Sequence, residues 1–283
     1  MNSGLIIINK EKGYTSRDVV NIVGKVLNTK KIGHTGTLDP LATGVLVVGF
    51  NSATKIFELL FNDDKEYIAE VIMGYETDTL DTDGEVVLED YNYSVDEITL
   101  KNALNKFVGT YLQEVPMYSA VKLNGKKLYE YARNNENVNL PKRNVNIKEI
   151  ELLEFNNNTF KFRCVVSKGT YIRSLIRDIG RKLNVYCTMS NLTRTRQGTF
   201  HLDDAATLDD IRNGKYEIIS LRNALSNYEQ VVIDEKLLFK VTNGQKIYNK
   251  YSSDIIVFIY DDRVVGIYKK DNDCYRAYKV FNV

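Results

Sequence analysis

Gly33-His34-Thr35-Gly36-Thr37-Leu38-Asp39-Pro40-Leu41-Ala42-Thr43-Gly44-Val45-Leu46 is the stretch on which the reading of this chain turns. Pro40 disfavours the helical region at Asp39 and keeps that residue extended. The carboxylate is therefore offered from a loop, not from a helix surface. Gly33, Gly36 and Gly44 allow sharp turns or a close approach of backbone to a ligand. A lone Asp-Pro pair more often marks an ordinary surface turn. Three glycines, a histidine and three threonines around it weigh against that plain reading. A nucleotide-triphosphate loop does not fit. No Gly-Lys-Ser/Thr follows, and no G-x-G-x-x-G opens a helix after a strand.

Outward from this stretch, residues 5–8 form a short apolar run that reads as a buried strand, broken by Gly13. Ser16 is placed to cap a helix carrying Val19, Val20, Val23, Val26 and Leu27. Residues 45–50 read as a strand, and Ser52 precedes a helix with Ile56, Leu59 and Leu60. Residues 67–73 put Tyr67, Ala69, Val71 and Met73 on one face of a strand. Asp83-Gly84 and Asn124-Gly125 are turn signals. Ser94 and Glu97 make a capping box for a helix over 98–108, and 126–133 reads as helical. Residues 144–155 and 160–167 read as paired strands. Thr170 is placed to cap a helix burying Ile172, Leu175, Ile176, Ile179 and Leu183.

The expected fold is α+β, a mostly antiparallel mixed sheet flanked by helices. A boundary in the polar segment near residue 228 separates a large domain, 1–228, from a small β-rich one, 229–283. The small one carries strands over 255–260, 264–269 and 275–281, with Asp261-Asp262 at the first turn.

Two further segments carry chemistry. In Ser167-Lys168-Gly169-Thr170-Tyr171-Ile172-Arg173-Ser174-Leu175 a strand ends, glycine turns the chain and a helix begins, which makes an anion-friendly corner. Arg173 and Arg177 lie one turn apart. In Lys65-Glu66-Tyr67 the tyrosine starts a strand and can turn its ring to a pocket, although a core tyrosine is the plainer reading.

Charge is uneven although the net is only +1. Residues 62–100 hold thirteen acids, Asp63 among them, against one base, Lys65. Residues 161–200 hold nine bases against one acid, Asp178. A basic stripe on a neutral protein can bind a polyanion with one face; two solvated faces of opposite sign are the alternative. The two histidines, His34 and His201, and the distant Cys164, Cys187 and Cys274 offer no metal-ligand spacing and no paired-cysteine deaminase signature. No metal is expected. Sparse cysteines fit a reducing cytoplasm. The start, Met1-Asn2-Ser3-Gly4 before the 5–8 run, is too short for a signal peptide, and no apolar run is long enough for a membrane helix.

Several blocks then fall into one order. They are Asn9-Lys10-Glu11-Lys12-Gly13-Tyr14-Thr15-Ser16; the 33–46 stretch; Lys65-x-Tyr67 followed by Gly74, Thr77, Asp78, Asp81 and Gly84; Gln113-x-x-Pro116-x-x-Ser119-Ala120-x-Lys122-x-x-Gly125 with Leu128-Tyr129-Glu130; the 167–175 segment with Asp178 and Gly180; and Leu192-Thr193-Arg194-Thr195-Arg196-x-Gly198-x-Phe200. Together they resemble the bacterial tRNA pseudouridine-55 synthases, the TruB type. The chain departs at Glu11, where a proline is usual, and at Thr193, where an arginine is common. Similarity covers most of residues 4–200 and thins after 205. Asn243-Gly244-Gln245 there is similar to a small PUA-type RNA-binding module.

The resemblance implies a set of roles. Asp39 is the nucleophilic or electrostatic carboxylate, Arg173 its pairing cation, and Tyr67 the ring stacked on the target base. His34 fills the gap left by a flipped-out nucleotide. Lys10, Thr37, Lys65, Lys168, Tyr171, Leu175, Arg177 and Arg194 are expected against the RNA. The substrate is the T-arm of tRNA. The reaction breaks and remakes a glycosidic bond without oxidation, so no cofactor is expected. A cytoplasmic monomer without a membrane partner completes the expectation. A non-catalytic tRNA-binding protein or chaperone is the main rival, against which Asp39, Tyr67 and Arg173 all stand. A glycoside hydrolase would need a second carboxylate at a matching motif.

Overall fold

The computed structural model of the chain describes residues 3–60, 64–134, 136–248 and 251–281. Met1, Asn2, Asn62 and Asp63, which figure in the sequence reading, lie outside the described residues.

Two-residue periodicity builds the main sheet. In β1 (Gly4–Lys10), Ile6 and Ile8 enter one apolar core while Leu5 and Ile7 enter another on the opposite face. α1 (Ser16–Val26) buries Val19, Val20 and Val23. After β2 (Ile32–His34), β3 (Thr43–Phe50) divides its side chains in the same way, with Leu46, Val48 and Phe50 opposite Val45 and Val47. Strands buried on both faces read as unbroken apolar runs, which is why 5–8 and 45–50 do not alternate in sequence. A 3-10 turn over Asn51–Ile56 runs into α2 (Phe57–Leu60). β4 (Lys65–Met73) then buries Tyr67, Ala69, Val71 and Met73.

A hairpin of β5 (Tyr75–Thr77) and β6 (Val86–Glu89), α3 (Glu97–Asn105) and β7 (Gly109–Glu114) follow. β8 (Lys122–Leu123) and β9 (Lys126–Lys127) turn at Asn124-Gly125, both with positive φ, and lead into α4 (Leu128–Arg133). β10 (Lys142–Phe155), β11 (Thr159–Val166), α5 (Ile172–Leu183), β12 (Cys187–Gln197) and β13 (Phe200–His201) complete the larger part. Among the described residues the sheet runs β1-β3-β12-β4-β11-β10-β7, with β2 on β3 and β13 on β12. Its pairings are antiparallel except for β12 with β3, so the sheet is mixed and mostly antiparallel. Helices α1, α3 and α5 pack into one core with it.

The parallel junction stands beside the Asp39 loop. Thr43 and Gly44 pair there with Thr193 and Arg194. Gly44 has φ +97°, and a β-carbon on it would lie 2.3 Å from the Arg194 carbonyl oxygen. Only glycine lets the two strands meet at that point.

Beyond β13, α6 (Leu208–Arg212) and α7 (Leu221–Ala224) lead to a second sheet. It consists of β14 (Glu229–Val232), β15 (Ile255–Tyr260), β16 (Arg263–Asp271) and β17 (Cys274–Val280) in that order, with α8 (Glu235–Thr242) between β14 and β15 in sequence. Val257, Ile259 and Phe281 share a core with Leu5, Val47 and Phe200, so this sheet backs the β1-β3 end of the first.

Three helix starts differ from the expectation. Thr15, not Ser16, caps α1: its hydroxyl accepts the Asp18 N–H at 3.1 Å, and Asp18 accepts the Thr15 N–H at 2.9 Å. Asp96, not Ser94, caps α3 by accepting the Thr99 N–H at 2.6 Å, and that helix ends at Asn105. Thr170 does not cap α5; its hydroxyl donates to the Ser167 carbonyl at 2.9 Å, and the N-cap residue is Tyr171, with no side-chain cap of its own.

Candidate active site

Asp39 lies in the loop between β2 and β3, and that loop is pinned by its own backbone. The Leu38 N–H donates to Ser16 Oγ at 2.9 Å, the Gly13 N–H to the Pro40 carbonyl at 2.8 Å, and the Ala42 N–H to the Asp39 carbonyl at 3.1 Å. Lys10, the last residue of β1, is 0% exposed. Its Nζ donates to the carbonyls of Tyr14, Glu11 and Pro40 at 2.7, 3.0 and 3.3 Å. Burial pushes that ammonium down to about 8, with Asp39 pulling the other way and Arg194 adding to the depression.

Arg173, near the start of α5, meets the loop. Its Nε lies 2.9 Å from Asp39 Oδ2 in an ion pair, its Nη1 donates to the Thr79 carbonyl at 2.8 Å and its Nη2 to the Tyr118 carbonyl at 3.0 Å. Asp81 Oδ2 is 3.7 Å from Nη1. The guanidinium is thus held by three segments distant in sequence, a use of its rigid fork that lysine cannot copy. The Arg173 side chain is 6% exposed and that of Asp39 34%. The ion pair therefore has a dry side and an open side, and the open side is the carboxylate. Burial pushes the Asp81 carboxyl above the usual carboxylate range, opposed by the Thr79 hydroxyl and by Arg173.

Tyr67 is buried on β4. Arg194 of β12 joins it to the loop: Nη1 reaches Tyr67 Oη at 3.5 Å, Nη2 the Gly36 carbonyl at 3.0 Å and Nε the Val45 carbonyl at 2.6 Å. Gln197 Nε2 donates to Thr35 Oγ1 at 2.6 Å on the same loop. His34 is half-buried, and its Nδ1 accepts the Gly36 N–H at 3.3 Å. Burial first, then Arg194 and Arg17, holds its imidazole below the usual range. That favours a neutral ring at the end of β2, where the loop begins.

The residues expected against RNA divide into two groups. Thr37 and Lys168 are exposed, and Tyr171 is half-buried with Arg143 stacked over its ring at 5.5 Å. Lys10, Lys65, Leu175, Arg177 and Arg194 are buried. Arg177 is turned to Glu114 Oε1 at 3.4 Å and Asp178 Oδ1 at 3.0 Å. Lys10 and Arg194 donate to protein groups as described, and Leu175 is core.

Part of the basic segment is matched by carboxylates. Arg163 of β11 spreads its guanidinium over Glu66, Glu149 and Glu151, and Lys161 reaches Glu70 and Glu154. Of the acidic segment, Glu66, Glu70 and Asp81 meet Arg163, Lys161 and Arg173 of the basic one. Sequence reasoning gave no role to Ser16 in the loop, to the Thr79 and Tyr118 carbonyls or to Asp81 as second acid. Backbone carbonyls carry no residue signature, and Asp81 looks like one acid in a crowd.

Comparison with known proteins agrees with this geometry. Residues 24–172 match the model of the TruB family pseudouridylate synthase N-terminal domain, and residues 173–233 that of the tRNA pseudouridylate synthase B C-terminal domain. The chain belongs to the TruB family.

TruB-family members are pseudouridylate synthases, so the chain is an isomerase. The boundary between the two matches falls at Arg173, and the Asp39–Arg173 ion pair therefore bridges them. The chain is 39% identical to tRNA pseudouridine synthase B of Clostridium tetani over 98% of this chain and 99% of that one. It is 40% identical to the protein of the same name from Staphylococcus saprophyticus, over the full length of both. Among solved structures, a Cbf5-Nop10-Gar1 complex matches with TM-score 0.74 and 26% identity, covering 99% of this chain and 84% of that one. An H/ACA RNP bound to a substrate RNA containing 2'-deoxyuridine matches with the same score and identity, covering 99% and 85%. No helix among the described residues is long and apolar enough to cross a membrane.

Proposed function

We propose that this chain converts a uridine of tRNA, uridine 55 in the T-loop, into pseudouridine, with Asp39 as the essential carboxylate. The observation that carries the reading is the 2.9 Å contact between the half-open Asp39 carboxylate and the buried Arg173 guanidinium. A binding protein has no need of a carboxylate aimed at a polyanion, held in place by a cation and by a pinned loop. The names of the relatives supply the tRNA.

The isomerisation breaks the C1′–N1 bond, turns the uracil and joins C1′ to C5; C5 loses its proton and N1 gains one. Positive charge gathers at the sugar as uracil departs. A fixed carboxylate facing that carbon stabilises it electrostatically, and can also bond to it, without having to reorganise. Extruding the nucleotide costs a few kcal/mol of stacking, offset by a ring stacked on the flipped base and by His34 in the vacated space. In this reading Tyr67 supplies the ring, while Lys10 and Arg194 act as positioning residues that hold the loop. Thr37, Lys168 and Tyr171 contact the RNA in the same reading. The 229–283 unit serves as a second RNA-binding module, and the protein works as a cytoplasmic monomer.

The test is to incubate the purified chain with unmodified tRNA and map pseudouridine base by base. Conversion confined to position 55 supports the reading; unmodified tRNA after exhaustive incubation removes it.

A further inference from the structure

Gln113 lies on β7, is 0% exposed, and touches neither Asp39 nor the open side of the site. All its amide atoms are engaged. Its Oε1 accepts the backbone N–H of Tyr171 at 2.8 Å, while its Nε2 donates to the Tyr171 carbonyl at 3.1 Å and to Tyr111 Oη at 2.5 Å. A side-chain amide gripping both polar groups of one residue is a small segment of β-ladder made by a side chain. Tyr171 is the N-cap residue of α5, has no side-chain cap, and precedes Arg173 by two positions. Its carbonyl also receives the first helical hydrogen bond, from the Leu175 N–H at 3.0 Å. Arg143, the β10 partner of Gln113, lies over the Tyr171 ring.

The next residues of the same segment grip the helix again. The Glu114 carboxylate meets Arg177, and the Tyr118 carbonyl takes Arg173 Nη2. The strand and the loop after it thus hold α5 at residues 171, 173 and 177.

The geometry points to Gln113 as a positioning residue for the reaction: its amide sets the start of α5 and thereby the angle at which Arg173 presents Nε to Asp39. A free helix start has unsatisfied N–H groups and frays. Fraying would swing Arg173 by an ångström or so, enough to cost about a hundredfold in rate when a charged pair must be aligned. Glutamine is needed because the clamp requires an acceptor and a donor on one planar group. An ionised glutamate has no donor, and its charge would face the Tyr171 carbonyl; a protonated glutamate regains one donor. Burial beside that carbonyl raises the pKa of such a glutamate toward neutrality.

The inference rests on the function proposed above, so wild-type turnover is measured first, and its absence would count against that function and not against the clamp. Q113A and Q113E are then compared with wild type in single-turnover pseudouridine formation at pH 6, 7 and 8, alongside RNA affinity and thermal melting. The expected result is a rate loss of about tenfold or more with RNA affinity within about twofold of wild type. The Q113E rate, relative to wild type, recovers by several-fold from pH 8 to pH 6, while Q113A shows no such recovery. Wild-type rates in both variants overturn the inference. So does a Q113E deficit that is the same at every pH, since a merely structural loss would not follow the protonation of one side chain.

Discussion

Arg173 brings Nε within 2.9 Å of Asp39 Oδ2 while both Nη atoms donate to the carbonyls of Thr79 and Tyr118. The arginine therefore does two jobs with one plane: it holds the carboxylate and it ties down two loops. This division of donors leads to the first prediction.

R173K keeps the charge and loses the fork. An ammonium cannot satisfy an oxygen of Asp39 and two carbonyls in the same plane, so the rate is expected to fall by about a hundredfold or more with folding retained. Single-turnover kinetics with circular dichroism checks both halves. R173A goes further, because it strands Asp81 as a buried carboxylate without its nearest cation, and is expected to cost about 3 kcal/mol of unfolding free energy. Urea denaturation measures it.

Lys10 predicts a pH dependence of stability. Its folded value, about 8, lies below the ordinary 10.5 because of burial. Between those values the unfolded chain binds the proton that the folded chain has released, so stability rises with pH across that window. Below pH 8 the buried charge is a constant penalty. Relative to K10M, wild-type stability is expected to climb from pH 8 to pH 10 and to run parallel below pH 8, as measured by urea denaturation at each pH.

Cys164 and Cys187 are buried, and burial pushes both thiols up to about 12. Neither offers thiolate at neutral pH. An aromatic disulfide reagent is expected to leave both unmodified in the folded protein and to label them at once in denaturant. Rapid labelling of either under native conditions would contradict the packing around β11 and β12.

Arg163 tests whether a paired base of the basic segment still serves RNA. Its guanidinium is already matched by three glutamates, so it holds few counterions for RNA to release. R163A is expected to leave tRNA affinity and its dependence on salt unchanged. A salt slope smaller by about one would show that this face does bind phosphate.

The fold was largely legible because the core strands announce themselves by composition: 5–8, 45–50, 67–73 and 160–166 are strands in the structure. Helix starts were less so. Thr15, Asp96 and Tyr171 took over from Ser16, Ser94 and Thr170, since a capping residue is chosen by the backbone angle at which a helix leaves the sheet, and neighbouring Ser and Thr look alike in sequence. β14 and α8 were missed; β14 has only four residues, and its parallel partner β15 lies over twenty residues on. At the site, Asp39 stood out through Pro40 and its glycines, and Arg173 through its place after a turn. Their mutual contact was implied only by resemblance. The burial of Lys10, Arg177 and Arg194 was not legible, because a buried base donating to protein groups and an exposed base facing solvent are written with the same letters.

The most direct test of Asp39 uses a T-arm stem-loop carrying 5-tritiated uridine. Wild type should release tritium as C5 exchanges its hydrogen for the sugar, while D39N should bind the RNA as tightly and release none. Release by D39N at the wild-type rate would contradict the role given to this carboxylate.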